Sequence, residues 1–371
     1  MKILITGNMG YLGPAVVRRL RASRPDASII GLDSGFFASC LAGNEFLPEC
    51  MIDYQCFADI RNFPHKVLDG VDVVIHLAAV PGGPESPLIE DVTFEINYLA
   101  TIDLALEARR RGVGAFVYAS SCSIYGFSAD GKKMMEYATP NPLTACAKAK
   151  VFSERQLERL AGPGFKVTSL RFPAACGMSE RLRLDLVLNN LVACAFSTGE
   201  ISVPGDGDAW KPLINIRDMA RAIDWAASRD VYQGGHFLAI NAGSNDCNYR
   251  MMDIALAVGE EIPGVKIYVD KSAPPEMNSF AVDFSLFKKL APDHQPESGL
   301  RFTIRELKSG IENMAFAGLI ASASRFNRFK MIEELMSKGM LTPKLLWPVR
   351  TNAGPENKTV PDGGDYCLGY R

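Results

Sequence analysis

The sequence has little net charge and lacks a long apolar run. Its 40 lysines and arginines nearly balance 42 aspartates and glutamates, which leaves a formal net charge of -2. This balance gives no reason to expect nucleic acid or an anionic membrane as the main partner. No apolar stretch is long enough for a signal peptide or a membrane span, so we expect a cytoplasmic protein without a membrane partner.

Metal-binding patterns are also scarce. The four histidines (His65, His76, His236 and His294) lie far apart, and no pair of cysteines has the Cys-x-x-Cys spacing. A structural zinc site is therefore disfavoured, and we predict no metal. The nine cysteines are an odd number scattered along the chain, which favours reduced, small core residues over a disulfide framework.

Short apolar runs alternate with amphipathic segments over residues 1–172. Helical periodicity falls on Tyr11–Ser23, Phe94–Gly112 and Pro142–Ala161. The expected strands are Lys2–Thr6, Ser28–Asp33, Tyr54–Phe57, Val71–Leu77, Ala115–Ser120 and Lys166–Phe172. An almost continuously apolar strand such as VDVVIHL needs cover on both faces. The pattern predicts an α/β fold whose first domain is a doubly wound, Rossmann-like parallel sheet.

Residues 173–316 carry a looser alternation, which predicts a smaller C-terminal α/β substrate domain interleaved with the first. Helices are expected near Asp185–Ser197, Ile216–Ala227 and Tyr249–Glu260, with strands at Glu200–Val203, His236–Ile240 and Val265–Val269. Residues 317–371 are expected to form a helical hairpin and then a polar tail. Because the tail is rich in glycine and proline, we expect it to be poorly ordered unless a partner subunit holds it.

Three glycines follow the first predicted strand with the spacing G-x-x-G-x-x-G. Gly7, Gly10 and Gly13 flank Tyr11 and Leu12 and lead into the first predicted helix. Glycine at such positions allows a tight turn, a close approach of the backbone to a pyrophosphate, and close packing of helix on strand. The amides and dipole at the helix start favour phosphate groups. The placement predicts a dinucleotide cradle rather than an ordinary glycine-rich turn.

Acidic and small residues at the next strand ends fit the same ligand. Asp33 ends the second strand, where a carboxylate can accept from the adenosine ribose and repel a 2′-phosphate, so NAD is favoured over NADP. The alternative is a helix-capping or turn aspartate. Asp59 and Ile60 are placed to meet the adenine, and Leu77, Ala78 and Ala79 allow close backbone approach. Each of these two segments is as compatible with ordinary packing at a strand end.

Taken together, TGNMGYLG, Asp33, ADI, HLAA and ASSCSIYG resemble motifs of the extended short-chain dehydrogenase/reductase family, and within it the nucleotide-sugar epimerase/dehydratase branch. The resemblance runs in order from Met1 to about Met314 and includes INYLAT, which contains Asn97. It implies an enzyme that binds NAD in its N-terminal domain, with Asn97 and Lys150 among the cofactor contacts. It also implies a nucleoside-diphosphate sugar in the C-terminal domain.

The family performs its redox chemistry with a serine, a tyrosine and a lysine. Ser121 and Lys150 match the serine and the lysine, whereas Cys146 stands where the tyrosine is expected. Three hypotheses stay open: Cys146 is a substitute acid/base, another group such as Tyr125 takes over, or the family's hydride chemistry is lost. We expect Cys146 to lie beside the nicotinamide and shape the pocket without transferring the proton.

The resemblance also informs the substrate. Dehydratases of the family place an acidic residue directly after the serine, but Cys122 and Ser123 stand here, so epimerisation or simple oxidation and reduction is favoured. Substrate contacts are predicted at Arg181, Arg183, Asn189 and Lys211, of which the arginines suit a diphosphate. A solvated helix face is the alternative for each arginine.

These observations predict an NAD-dependent nucleotide-sugar epimerase or dehydrogenase. The helices around Phe94–Gly112 and Pro142–Ala161 resemble those of the family's dimer interface, so a homodimer is expected. Two rivals remain at this point. One is an enzyme for a different hydroxy or keto substrate that uses a base other than tyrosine. The other is an NAD-binding protein without turnover.

Overall fold

The computed structural model describes residues 1–43, 47–81, 90–128, 132–273, 278–316 and 324–348. The strands and helices of its N-terminal half are β1 (Lys2–Thr6), α1 (Gly13–Ser23), β2 (Ser28–Asp33), β3 (Tyr54–Phe57), β4 (Val73–His76), α2 (Glu90–Phe94), α3 (Ala100–Arg110), β5 (Ala115–Ser121), β6 (Lys133–Met134), α4 (Ala145–Leu160) and β7 (Lys166–Phe172). One π-helical turn, Glu95–Leu99, joins α2 to α3. The single predicted helix Phe94–Gly112 is therefore interrupted.

The second half begins with β8 (Ala174–Cys176), α5 (Val187–Thr198), β9 (Glu200–Pro204), β10 (Trp210–Asn215), α6 (Ile216–Ser228) and β11 (Phe237–Asn241). It continues with β12 (Asn248–Arg250), α7 (Met251–Glu261), β13 (Lys266–Asp270), β14 (Ala281–Val282), α8 (Ser285–Leu290), α9 (Leu300–Phe316) and α10 (Arg328–Ser337). Of the hairpin predicted from residue 317, the described part contains α10. The tail from residue 349 lies outside the described residues.

Seven parallel strands form the central sheet in the order β11-β7-β5-β4-β1-β2-β3. Strand order reverses between β1 and β4, so the loops after these two strands diverge and leave a crevice at their carboxyl ends. In open α/β sheets this crevice is the usual ligand site. The last strand, β11, comes from the second half of the chain, which shows how the two halves interleave. The predicted doubly wound, Rossmann-like fold is confirmed.

Side chains of β1 alternate between two hydrophobic clusters on opposite faces of the sheet. Ile3 and Ile5 belong to a cluster that includes apolar residues of α1 and α6, whereas Leu4 belongs to one that includes residues of α3. Since both faces are covered, the strands are apolar without a polar side, as a parallel sheet requires.

A buried ion pair fixes α4 against the sheet. The carboxylate of Glu154 accepts from the guanidinium of Arg171 on β7 at 2.6 and 3.1 Å, and from the Ser120 hydroxyl at 2.5 Å. Arg171 also donates to the Tyr125 hydroxyl at 3.0 Å, and Tyr125 donates to Asn241 at 2.7 Å. These contacts tie α4, β5, β7 and β11 together behind the end of β5.

Two features are absent from the described residues, a membrane-spanning helix and a cluster of metal ligands. None of the described helices is both long and apolar enough to cross a bilayer. No cluster of three or more His, Cys, Asp or Glu side chains suited to a metal ion occurs within the ranges given above.

Glu154→Gln should cost about 3–5 kcal/mol of unfolding free energy, because it leaves the buried guanidinium of Arg171 without its counter-charge. The measurement is urea denaturation followed by circular dichroism. Glu158→Gln is the matched control, since Glu158 is exposed on the same helix one turn further on, and we expect it to stay within about 0.5 kcal/mol of the unmodified protein. Equal urea midpoints for the two variants would show that the ion pair between Glu154 and Arg171 does not stabilise the packing of α4.

Candidate active site

The glycine cradle lies at the reversal between β1 and β4. Gly7 has φ +73°, a conformation that L-residues rarely adopt, and a Cβ on it would lie 2.6 Å from the backbone nitrogen of Ala78. Gly10 differs, because within the described part of the chain its added Cβ would lie near the Gly7 oxygen alone, at 3.1 Å. Gly7 thus permits the close approach of two strand ends, and Gly10 keeps the adjoining space open.

A buried histidine supports this close approach. The Nδ1 of His76 lies 2.6 Å from the Thr6 hydroxyl, and its Nε2 lies 2.8 Å from that of Thr101. Burial lowers the pKa of His76 to about 3, so the ring is neutral and carries no charge into the interior. The ends of β1 and β4 are therefore held side by side, as the cradle requires.

A cavity opens beside the cradle. Its walls are the ends of β1, β2, β3 and β4, and they include Gly7, Gly10, Asp33, Asp59, Ile60, Leu77, Ala78 and Ala79, together with the aromatic pair Phe36 and Phe37. The first eight of these residues are predicted from the sequence, whereas Phe36 and Phe37 are not. The adjacency of Phe36 and Phe37 to Asp33 was the available signal.

Asp33 presents its carboxylate to this cavity. Its two oxygens accept from the backbone amides of Met9, at 3.0 Å, and Gly35, at 2.8 Å. Burial raises the pKa of Asp33, and the two amides oppose that rise. A carboxylate fixed by two amides still has lone pairs free to accept, so the arrangement fits the two hydroxyls of a ribose. It is thus compatible with the adenosine end of NAD.

Tyr11 and Asn189 meet behind the cradle. The Tyr11 hydroxyl donates to the Gly177 carbonyl at 2.6 Å and accepts from the Asn189 amide at 3.0 Å. The same Asn189 side chain accepts from the Gly177 amide and donates to the Arg183 carbonyl. The buried polar atoms of both residues therefore bind other parts of the protein, and they connect the cradle to the C-terminal region.

Lys150 and Cys146 lie one turn apart on α4, which begins with a Thr144 hydroxyl cap. The ammonium of Lys150 donates to the Ala119 carbonyl at 2.6 Å and lies 4.5 Å from the centre of the Tyr118 ring. Burial lowers the pKa of Lys150, whereas the neighbouring Cys146 and Glu154 raise it. The Cys146 sulfur is 3.6 Å from the amide nitrogen of Asn97.

Asn97 is set by the π-helical turn. Its side chain pairs with both backbone groups of Val80, at 2.9 Å each, and so faces the end of β4. Such turns are frequent at functional sites because they displace one residue from the regular helical ladder. The structure therefore brings Asn97, Cys146 and Lys150 together, next to the strand that carries Ser121. The Ser121 hydroxyl accepts from the Ser123 amide at 3.1 Å and is half-buried.

Two predicted residues have different surroundings from those that the sequence indicates. Tyr125 is fully buried, and its hydroxyl is shared between Arg171 and Asn241. Burial raises its pKa further above the ordinary value. The guanidinium of Arg181, with a side chain only 1% exposed, forms a two-point contact with Glu49 at 2.9 Å and donates to the Phe37 and Ala38 carbonyls. Arg181 therefore binds loops of its own chain instead of facing an open substrate site.

The remaining predicted substrate contacts are partly engaged. Arg183 pairs with Asp185 at 2.5 Å, and both side chains retain some exposure. The Lys211 ammonium donates to the Asn278 carbonyl at 2.7 Å.

A model of the NAD dependent epimerase/dehydratase family matches residues 3–243, which is well over half of the chain and includes the whole cradle. The chain belongs to this family. Both the predicted family and its NAD cofactor are thereby confirmed.

The chain is similar to known proteins over most of their length. The chain is 26% identical over 315 residues to an uncharacterized UDP-glucose epimerase, YtcB, of Bacillus subtilis, covering 81% of this chain and 95% of that one. It is 23% identical to the UDP-glucose 4-epimerase of Mus musculus, covering 70% and 79%. Among solved structures, MoeE5 in complex with UDP-glucuronic acid and NAD has a TM-score of 0.71 at 24% identity, covering 84% of this chain and 99% of MoeE5.

Gly10→Val should weaken NAD binding by roughly 100-fold or more, because the branched side chain would project into the cavity beside the cradle. Calorimetric titration with NAD measures this change. Gly162→Val is the control, since an added Cβ there meets no atom within 4 Å. Unaltered affinity in Gly10→Val, with the control also unchanged, would place the cofactor elsewhere.

Proposed function

We propose that this family member is an NAD-dependent nucleotide-sugar epimerase or dehydrogenase. The observation that carries the proposal is the continuity of one site. The cavity beside the cradle is lined by Ala79 and Val80, and Val80 is held by Asn97, whose amide contacts Cys146. The UDP-glucose epimerases among the relatives support a nucleotide sugar as the substrate.

The cofactor role is assigned to the walls of that cavity. We assign the pyrophosphate to the amides around Gly7, Gly10 and Gly13, supported by Tyr11 and Leu12. Asp33 would accept from the adenosine ribose, with Asp59 and Ile60 toward the adenine. Leu77, Ala78, Ala79, Asn97 and Lys150 would follow the cofactor toward its nicotinamide. When bound, NAD supplies an acceptor for the hydride that leaves the sugar carbon.

Cys146 is our candidate for the proton-transfer group. Tyr125 is disfavoured because its buried hydroxyl already serves Arg171 and Asn241. Cys146 is half-buried, an amide of Asn97 points at its sulfur, and Lys150 lies one turn away on the same helix. A cysteine sulfur accepts a proton in its thiolate form. Ser121 would hydrogen-bond the same sugar hydroxyl. This proposal differs from the sequence-based expectation that Cys146 only shapes the pocket.

Dehydration is disfavoured by the surroundings of the residue after Ser121. Cys122 is fully buried and its thiol donates to the Arg171 carbonyl at 3.2 Å. Burial raises the pKa of Cys122 well above its ordinary value. It therefore cannot supply the acid that would expel water, and an interconversion that keeps all sugar oxygens is favoured.

The diphosphate is assigned to Arg183 and Lys211. A diphosphate would compete with Asp185 for the Arg183 guanidinium, whose fork suits phosphate oxygens. Asn189 and Arg181 would act from behind, Asn189 by fixing the Arg183 backbone and Arg181 by holding the loop that carries Glu49.

A homodimer is proposed on the exposed apolar face of the helices around the π-helical turn. Leu99 is 47% exposed, Leu106 is 48% exposed, and Phe152 of α4 is 42% exposed beside Phe94 and Tyr98. Burial of this face against a second copy would remove large apolar side chains from water. A cytoplasmic location stays a prediction.

Cys146→Ser should lower turnover of an accepted nucleotide sugar by about 100-fold or more while leaving the NAD dissociation constant unchanged, because a serine hydroxyl does not ionise near neutral pH. Steady-state kinetics with UDP-sugars measures turnover, and calorimetry measures NAD binding. Cys194→Ser is the control, since Cys194 is another half-buried cysteine on a helix and its thiol is hydrogen-bonded to the Asn190 side chain.

Full activity in Cys146→Ser would exclude thiol catalysis. The alternative is an NAD-binding protein without turnover, and the missing tyrosine is the observation that supports it. This alternative would be favoured if the unmodified protein bound NAD and a nucleotide sugar but showed no turnover. Cys146→Tyr separates these cases further. Gain of turnover in that variant would mean that the scaffold still accommodates the family's usual group.

A further inference from the structure

The C-terminal segment 324–348 packs against the wall of the cofactor cavity. Its apolar side chains belong to the same buried cluster as Leu32, Phe36 and Ile60, which line that cavity. These buried side chains are Met331, Ile332, Leu335, Leu341 and Leu345. Since they leave water only when the segment is docked, docking is favoured by the hydrophobic effect.

Three hydrogen bonds attach the end of the segment to the two loops that wall the adenosine end. The Trp347 indole nitrogen donates to the Ser34 carbonyl at 2.7 Å, and its ring lies 5.6 Å from that of Phe36. Arg61 forms an ion pair with Asp59 at 2.6 Å and donates to the carbonyls of Lys344 and Leu345 at 2.9 and 3.1 Å. One short piece of chain thus joins the loop after β2 to the loop after β3.

The start of the segment makes a second set of attachments. The Arg325 carbonyl accepts from the Cys40 thiol at 3.0 Å, and the Phe326 carbonyl accepts from the Leu184 amide at 2.8 Å. Arg328 donates to the Arg181 carbonyl at 2.7 Å and lies 4.5 Å from the centre of the Phe37 ring. The loop that follows β2 is therefore held from both ends of the segment.

The strained backbone conformation of Leu345 indicates that surrounding contacts hold this residue in one position. Its φ is +52°, and among the described residues it is the only non-glycine residue with a positive φ. Such a conformation costs on the order of 1–2 kcal/mol and persists only where the surrounding contacts fix it. Leu345 is fully buried, and its carbonyl accepts from Arg61.

The segment lies outside residues 3–243, which the family model matches. The cavity itself, by contrast, lies within the region that the family model matches.

We propose that residues 324–348 form a clamp that fixes the two adenosine-side loops and slows the release of NAD. Ligand escape past these loops requires them to separate, and separation would break the Trp347 and Arg61 contacts. An epimerase regenerates its oxidised cofactor in every cycle, so a long residence time suits the reaction. The inference rests on the proposed function, because it takes the cavity to hold NAD.

Trp347→Ala in the full chain tests the clamp. Preloaded NADH is chased with excess NAD, and its release is followed by the loss of bound-nicotinamide fluorescence. We expect release to be roughly tenfold faster and association to change far less, because a lost restraint acts on the dissociation rate. Trp347→Phe keeps a ring against Phe36 and should recover part of the effect. Tyr232→Ala is the control, since Tyr232 is 94% exposed.

A second measurement uses the reciprocity of coupled equilibria. If the docked clamp retains the cofactor, bound cofactor must favour the docked clamp. Amide hydrogen exchange of residues 340–348 in the unmodified protein should therefore slow when NAD is added. Equal release rates for Trp347→Ala and the control, or exchange that ignores NAD, would overturn the clamp alone. No NADH binding by the unmodified protein would overturn both the clamp and the proposed function.

Discussion

The close approach of Gly7 to Ala78 is the constraint on which the rest of the site depends. Because the Gly7 position would carry a Cβ 2.6 Å from the Ala78 nitrogen, only glycine lets the ends of β1 and β4 lie so near each other. Their proximity places the cavity between Asp33 and Val80, the residue that Asn97 holds. The neutral His76, bonded to Thr6 and Thr101, maintains this spacing without placing a charge in the core.

A second network determines which groups are available for chemistry. The line from Ser120 through Glu154 and Arg171 to Tyr125 is buried and hydrogen-bonded throughout. Such a network is costly to disturb, since removing one member leaves a buried charge unpaired. It occupies the Tyr125 hydroxyl while it holds α4 in place, and α4 carries both Cys146 and Lys150. Packing of the fold and chemistry of the site are therefore linked through one helix.

Sequence reasoning reached the parts of this site that local pattern controls. The strands, the glycine turn and Asp33 follow from periodicity and spacing, whereas Lys150 is identified through the resemblance to the family. The surroundings of Arg181 could not be predicted in this way, because its partner Glu49 lies 132 positions away and no local pattern indicates the pairing. The π-helical turn was missed for a related reason: it arises from the tertiary packing of Asn97 against Val80. The partners of Trp347 lie at the far end of the chain, so the contribution of residues 324–348 could be seen only in the folded structure.

We propose above all that a sugar carbon is oxidised by NAD bound in this cavity. Single-turnover mixing of the NAD-loaded protein with a panel of UDP-sugars, followed by reduced-nicotinamide fluorescence, tests it most directly. We expect at least one sugar to give a transient of reduced cofactor that decays as the epimer forms, or persists if the enzyme is a dehydrogenase. Stoichiometric NAD binding with no reduction by any sugar that itself binds would contradict it.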